Sequence, residues 1–200
     1  MKILISGFEP FGNDEWNSSW QTALQIQSAK NQTVLKVLLP VAFEKAWPVL
    51  KATIEEEKPD AVICLGQAEG RAAITIEKIG INWRQARIPD NEGFQPKGTK
   101  IEEDGADGLF STLNVEKLVS AALKKGIPAS VSYTAGTYVC NDVLYELLYW
   151  IQKENRSIQA GFIHLPLLPM QAAKRTPVLP SMALEEMRTG LQSIIEAVES

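Results

Sequence analysis

Apolar positions along the chain fall into short continuous runs separated by longer stretches of helical periodicity. Residues 2–6 form the first run and Gly7 ends it, the pattern of a strand buried on both faces. A loop rich in Gly, Pro and Asn extends to about residue 17. There Asn17-Ser18 offers a helix cap ahead of Trp20, Ala23, Leu24 and Gln27 at helical spacing. A second strand is predicted over 34–38, closed by Pro40. A helix over 43–57 follows, with Pro48 tolerable only near its first turns. Lys58-Pro59-Asp60 stops that helix, and 61–65 is another continuous apolar strand. The second half predicts a helix over 115–125, a strand over 130–133 and a helix over 139–154 striped by Leu144, Leu147, Leu148 and Ile151. A strand over 161–165 and an amphipathic helix over 182–198 close the chain.

Residues 66–112 break this rhythm. Ile74, Ile76 and Ile81 suggest short extended pieces, while Gly, Pro, Asn and Asp dominate from Pro89 to Gly108. An irregular stretch of this length inside a compact domain is usually functional or mobile. The alternation elsewhere predicts an α/β fold in three layers, with a mostly parallel, mixed central sheet covered on both faces. The length predicts one domain spanning residues 1–200.

Composition narrows the function. The chain is 45% apolar and 22% charged, ordinary for a globular protein. A net charge of −4 argues against a nucleic-acid partner and gives no attraction to an anionic membrane. The apolar run near the start is too short for a signal peptide, and no stretch approaches the roughly 20 apolar residues of a membrane span. Two cysteines and one histidine are too few for a structural zinc site. One disulfide is conceivable, but secreted scaffolds usually carry more, so a reducing, cytosolic setting is expected. Any histidine-dependent chemistry must use His164.

Four stretches carry candidate chemistry. In Tyr133-Thr134-Ala135-Gly136-Thr137-Tyr138-Val139-Cys140-Asn141 a strand runs out, a glycine turns the chain and Cys140 begins a helix. Such a position lowers a thiol's pKa and supplies N–H groups for an oxyanion, although a free cysteine there can equally be a small packed residue. Cys64, inside Val62-Ile63-Cys64-Leu65, reads as core. His164 ends an apolar strand, where it is either a satisfied core residue or a general base at the ligand crevice of a parallel sheet. Its strand follows the one before Cys140, which suggests neighbouring placement.

Glu77 interrupts the apolar alternation of Ile74-Thr75-Ile76-Glu77. It is either the exposed face of an edge strand or the acid that orients an imidazole. Phe8 and Phe11, in Gly7-Phe8-Glu9-Pro10-Phe11-Gly12, either clamp a flat ring or plug the core.

Those stretches, together with Gly66-Gln67-Ala68-Glu69-Gly70-Arg71, Asn82 and Phe162-Ile163-His164-Leu165-Pro166, run in an order that resembles the pyroglutamyl peptidase I family. The resemblance spans nearly the whole chain. It implies an α/β/α sandwich and a cysteine hydrolase that removes an N-terminal pyroglutamyl residue from peptides through a thioester, with no metal or cofactor. It also implies Cys140 as nucleophile, His164 as base and acid, and Glu77 as its orienting partner. Phe8 and Phe11 would hold the lactam ring, with Gln67 and the backbone near Val139 around the lactam amide. Asn17 would anchor the loop. Arg87 matches a family arginine near the reacting centre, with a structural ion pair as its alternative. Relatives are commonly homo-oligomers, often tetramers, and exposed-looking Trp83 and Phe94 could supply contacts.

Two departures stand out. Asn13 follows Gly12 where many relatives have a second glycine, and Asn17-Ser18-Ser19 replaces the usual Asn-Pro-Ser. An uncharged lactam calls for ring-stacking and hydrogen-bonding groups. Ordinary N-termini would be rejected because their ammonium would be buried without a counter-charge.

Overall fold

A computed structural model describes residues 1–29 and 31–198. Its elements run β1 (Lys2–Phe8), α1 (Ser18–Gln25), β2 (Thr33–Leu39), α2 (Phe43–Glu57), β3 (Ala61–Gln67), β4 (Ile74–Glu77), β5 (Ile79–Ile81) and β6 (Arg84–Gln85). There follow β7 (Lys97–Thr99), β8 (Gly108–Phe110), α3 (Val115–Leu123), β9 (Ala129–Ser132), α4 (Val139–Lys153), β10 (Gln159–Leu165), α5 (Pro169–Ala172) and α6 (Leu184–Glu196).

The central sheet has the order β2-β1-β3-β10-β4-β9. The first four strands are parallel, whereas β4 runs antiparallel to β10 and parallel to β9. The sheet is therefore mixed, as the sequence predicts. Cys140 and His164 are brought close together, as expected, although the strand before Cys140 does not adjoin β10. β4 lies between the two strands, and residues 133–138 bring the chain back before α4 begins.

Each central strand is apolar on both sides because each face meets helices. Ile3, Ile5, Ile63, Leu65 and Ile163 pack with Ala23, Leu118, Met187 and Leu191 of α1, α3 and α6. Leu4, Val62, Cys64 and Phe162 face the other way, onto Leu50 and Ile54 of α2 and Val143 and Leu147 of α4. Asn17 caps α1 as expected, accepting from the Ser19 N–H, a contact typically worth about 1 kcal/mol. Pro48 sits in the second turn of α2 on its exposed side, where the carbonyl it leaves unpaired can meet water.

Several predicted ends shorten. The third helix stops at Leu123, α4 at Lys153, and the last helix spans only Leu184–Glu196. Strand β9 ends at Ser132, leaving Tyr133 exposed. The irregular 66–112 stretch resolves into two small two-stranded sheets, β5 with β8 and β6 with β7. It is braced by buried amides. Asn82 donates to the Glu102 and Gly105 carbonyls (2.7 and 3.1 Å) and accepts from the Ile101 and Glu102 N–H groups (2.9 Å each). Asn141, from α4, accepts from the Ile81 N–H and donates to the Ile81 and Trp83 carbonyls.

Candidate active site

Side chains two apart on a strand share a face. His164 lies opposite Gly66 of β3 on one side and Thr75 of β4 on the other. Cys64, Gly66, Phe162, His164, Thr75 and Glu77 therefore share the face covered by α4. Glu77 is the diagonal neighbour of His164, within the reach of long side chains across an antiparallel pair. Its Oε1 lies 2.8 Å from His164 Nδ1. Glu77 is 0% exposed on an interior strand, so the exposed-edge reading fails.

A buried carboxylate needs counter-charge, and Glu77 has two sources. Arg71, from the turn after β3, places Nη1 2.6 Å from Glu77 Oε1, bonds Thr75 Oγ1, and donates from Nη2 to the Thr134 carbonyl at 3.0 Å. Burial works against the Glu77 charge, but the His164 hydrogen bond and the charges of His164 and Arg71 outweigh it and hold the carboxyl below its usual value. For His164, burial pushes the imidazole below its usual value. Glu77 opposes that shift and the Arg71 charge adds to it. The imidazole is thus neutral near pH 7, with Nδ1 committed to Glu77.

Cys140 is the second residue of α4, after Tyr138, which provides no side-chain cap. The first N–H groups of the helix are therefore open to an oxyanion. The sulfur rests on the sheet. A Cβ added at Gly66 would lie 2.8 Å from Cys140 Sγ and 2.7 Å from a Phe162 ring carbon. Only glycine leaves room for the thiol beside His164's strand. The expected lowering of the thiol pKa is not found. Burial, reinforced by the negative charge of Glu77, pushes Cys140 up to about 12 against the help of Arg71 and its own backbone N–H. Removal from water outweighs Arg71 and the backbone N–H, so Cys140 rests as a thiol near neutral pH. Cys64 is core as expected, likewise pushed up to about 12 by burial.

A pocket with about 300 Å³ of empty space opens beside the sulfur, lined by Phe8, Phe11, Asn17, Val41, Gln67, Tyr138, Val139 and Cys140. Phe8 is buried and packs on Phe162 at 6.4 Å, so it belongs to the core and the pocket wall together. Phe11 is half-buried and leans on Tyr138 at 6.4 Å. Gln67 is held fast. Its Oε1 accepts from the Ser18 N–H and Gln171 Nε2 (2.9 Å each), and its Nε2 approaches Asp14 Oδ2 at 3.3 Å. Asn17 donates to the Glu9 carbonyl at 2.9 Å, tying down the phenylalanine loop. Val139 is buried at the helix start. Arg87 lies outside this pocket, and its side chain forms no ion pair or hydrogen bond among the described residues, so the structural ion-pair alternative is not found.

Three supporting residues were not assigned roles from sequence. Arg71 and Gly66 lie in the stretch Gly66-Gln67-Ala68-Glu69-Gly70-Arg71, and a Glu77 carboxylate among apolar neighbours is itself the sign that a cation is near. Asn141, which ties the nucleophile's helix to β5, carries no sequence signal beyond its position after Cys140. No group of three or more His, Cys, Asp or Glu side chains that could hold a metal exists among the described residues.

Comparison with known proteins assigns the family. The profile of the pyroglutamyl peptidase family matches residues 1–200. The pyrrolidone-carboxylate peptidase of Brevibacillus brevis is 46% identical over 200 residues, covering 99% of this chain and 93% of that protein. The crystal structure of pyroglutamyl peptidase I from Bacillus amyloliquefaciens superposes with a TM-score of 0.94 at 37% identity, covering 100% and 98% of the two chains. The pyrrolidone carboxyl peptidase of Thermococcus litoralis gives 0.92 at 40% identity, covering 98% and 92%. With family profile, sequence and fold in agreement over the full length, the chain belongs to the pyroglutamyl peptidase family.

Proposed function

We propose that this chain is a cysteine peptidase that hydrolyses the amide bond after an N-terminal pyroglutamyl residue, releasing 5-oxoproline. One observation carries the reading: a thiol at an uncapped helix start, beside a buried His164–Glu77 pair, opens into an uncharged aromatic pocket. In this mechanism His164 takes the Cys140 proton as the sulfur attacks the carbonyl carbon, and the N–H groups at the start of α4 receive the oxyanion. The imidazolium, steadied by Glu77, then gives its proton to the departing amine as the C–N bond breaks. A pyroglutamyl thioester remains. Water, losing a proton to His164, attacks the thioester carbonyl carbon; as the C–S bond breaks the imidazolium returns that proton to sulfur, and 5-oxoproline leaves.

The resting thiol, rather than a thiolate, makes proton transfer to His164 part of the attack. Phe8 and Phe11 would flank the lactam ring, with Gln67 and the Val139 backbone at its amide and Asn17 fixing the loop. The pocket wall has no carboxylate, so a charged N-terminal amine would lose its water without compensation.

The whole chain is proposed to act as one catalytic domain. Its two free thiols suit a reducing, cytoplasmic setting, and no helix among the described residues is long and apolar enough to cross a membrane. Exposed Trp83, Phe94 and Phe110 support a homo-oligomer, to be measured by light scattering. The activity test is release of a chromogenic amine from a pyroglutamyl amide. Wild type should turn over, and Cys140→Ser should lose at least about a thousandfold. Near-wild-type turnover by Cys140→Ser would sink the reading.

A further inference from the structure

Next to the ring pocket lies a wider groove, with about 1310 Å³ of open space against about 300 Å³. The two share Phe11 and Tyr138, so a ligand seated by its ring continues into the groove past those two side chains. Ile88 and Leu179 give it apolar walls, and Arg87 and Glu69 are its charged residues. Glu69 is already engaged, accepting from Arg175 Nε at 3.1 Å, and Arg175 also holds Asp14 at 2.9 Å. The Arg87 guanidinium has no partner among the described residues.

The backbone that carries Arg87 is nonetheless fixed. Its carbonyl accepts from Gln95 Nε2 at 2.9 Å. On one side the Gln85 N–H donates to the Thr137 carbonyl (2.9 Å) and Thr137 Oγ1 to the Gln85 carbonyl (2.8 Å). On the other, the Tyr138 hydroxyl donates to the Pro89 carbonyl (3.0 Å). Thr137 and Tyr138 lead directly into Cys140. A free cation is thus anchored, through its backbone, to the segment that positions the nucleophile.

Resting on the proposed hydrolysis, we infer that this groove receives the leaving part of the substrate, and that Arg87 binds the free C-terminal carboxylate of a short leaving segment. An arginine fork suits a planar carboxylate, and the apolar walls suit an uncharged side chain before it. The preferred substrates are then very short pyroglutamyl peptides with a free C-terminus, rather than blocked or long ones.

The test compares kcat/KM for pyroglutamyl-leucine with that for pyroglutamyl-leucine amide. Wild type should favour the acid by about tenfold at low ionic strength, and the ratio should shrink in 0.5 M salt, because an exposed pair is screened at about 4 Å. In Arg87→Gln the ratio should fall to about one, and in Arg87→Lys to an intermediate value. A wild-type ratio near one, or a tenfold ratio that survives in Arg87→Gln, overturns the inference while leaving the hydrolase reading intact. If wild type cleaves neither compound, the hydrolase reading fails, and this inference with it.

Discussion

The proposed active site is built from two regions of different construction. The proton-handling side belongs to the sheet: His164, Glu77 and Thr75 are fixed by strand register, and Arg71 closes over them from an adjoining turn. The recognition side lies where strands run out into loops: Phe8 and Gln67 are the last residues of β1 and β3. Phe11 and Asn17 sit in the loop after β1, which the side-chain hydrogen bonds of Asn17 and Gln67 tie down. Register fixes a side chain to within the pleat of a strand, whereas a loop holds one only as well as its individual bonds. Changes on the sheet side should therefore appear in kcat, and changes on the loop side in KM.

The largest break in this division is expected from His164→Ala. Removing a general base costs roughly 10²–10⁴-fold, and the loss should fall on kcat with KM changed little. A variant that loses mainly KM would show that the imidazole holds substrate instead. Glu77→Gln should come next, at about a hundredfold in kcat, because it leaves the base but removes what orients it. Glu77 raises the His164 pKa, so its loss should move the acid limb of kcat/KM to lower pH. Arg71→Gln should cost about tenfold and shift that limb the opposite way. The Arg71 charge lowers the His164 pKa, so its removal lets the imidazole protonate at higher pH. Limbs that move together would refute the arrangement in which Glu77 stands between a cation and the base.

The smallest effect tests the loop side. Ser18 occupies a position where the family resemblance implies proline, and its N–H donates to Gln67 Oε1 at 2.9 Å. Proline has no N–H to give, yet suits the first position of a helix. Ser18→Pro should therefore keep or slightly raise the melting temperature while raising KM about threefold, with kcat within twofold. An unchanged KM would mean that Gln67 is held well enough by Gln171 and Asp14.

The same division governs what could be read from the sequence. Runs such as 61–65 and the helix over 43–57 are legible because local periodicity and strong stop signals coincide with the packing. Cys140 and His164 were legible because both are rare and stand at element ends. The Arg71–Glu77 pair was only half legible, since a strand inserted antiparallel leaves no local signature. For that reason the place of β4 between β9 and β10 could not be read from the sequence. The thiol's raised pKa was hidden too, because helix position can be read from sequence and depth of burial cannot.

Strand β10 has one further consequence, for the order of assembly. It is the last strand in the sequence yet lies between β3 and β4 in the sheet. The contact between Glu77 and His164 spans 87 positions of chain. Such long-range closure is slow, and it must wait until most of the polypeptide has been synthesised. A nascent chain ending before residue 159 carries Cys140 but not His164, so in the proposed mechanism the strand that completes the sheet also switches on the chemistry.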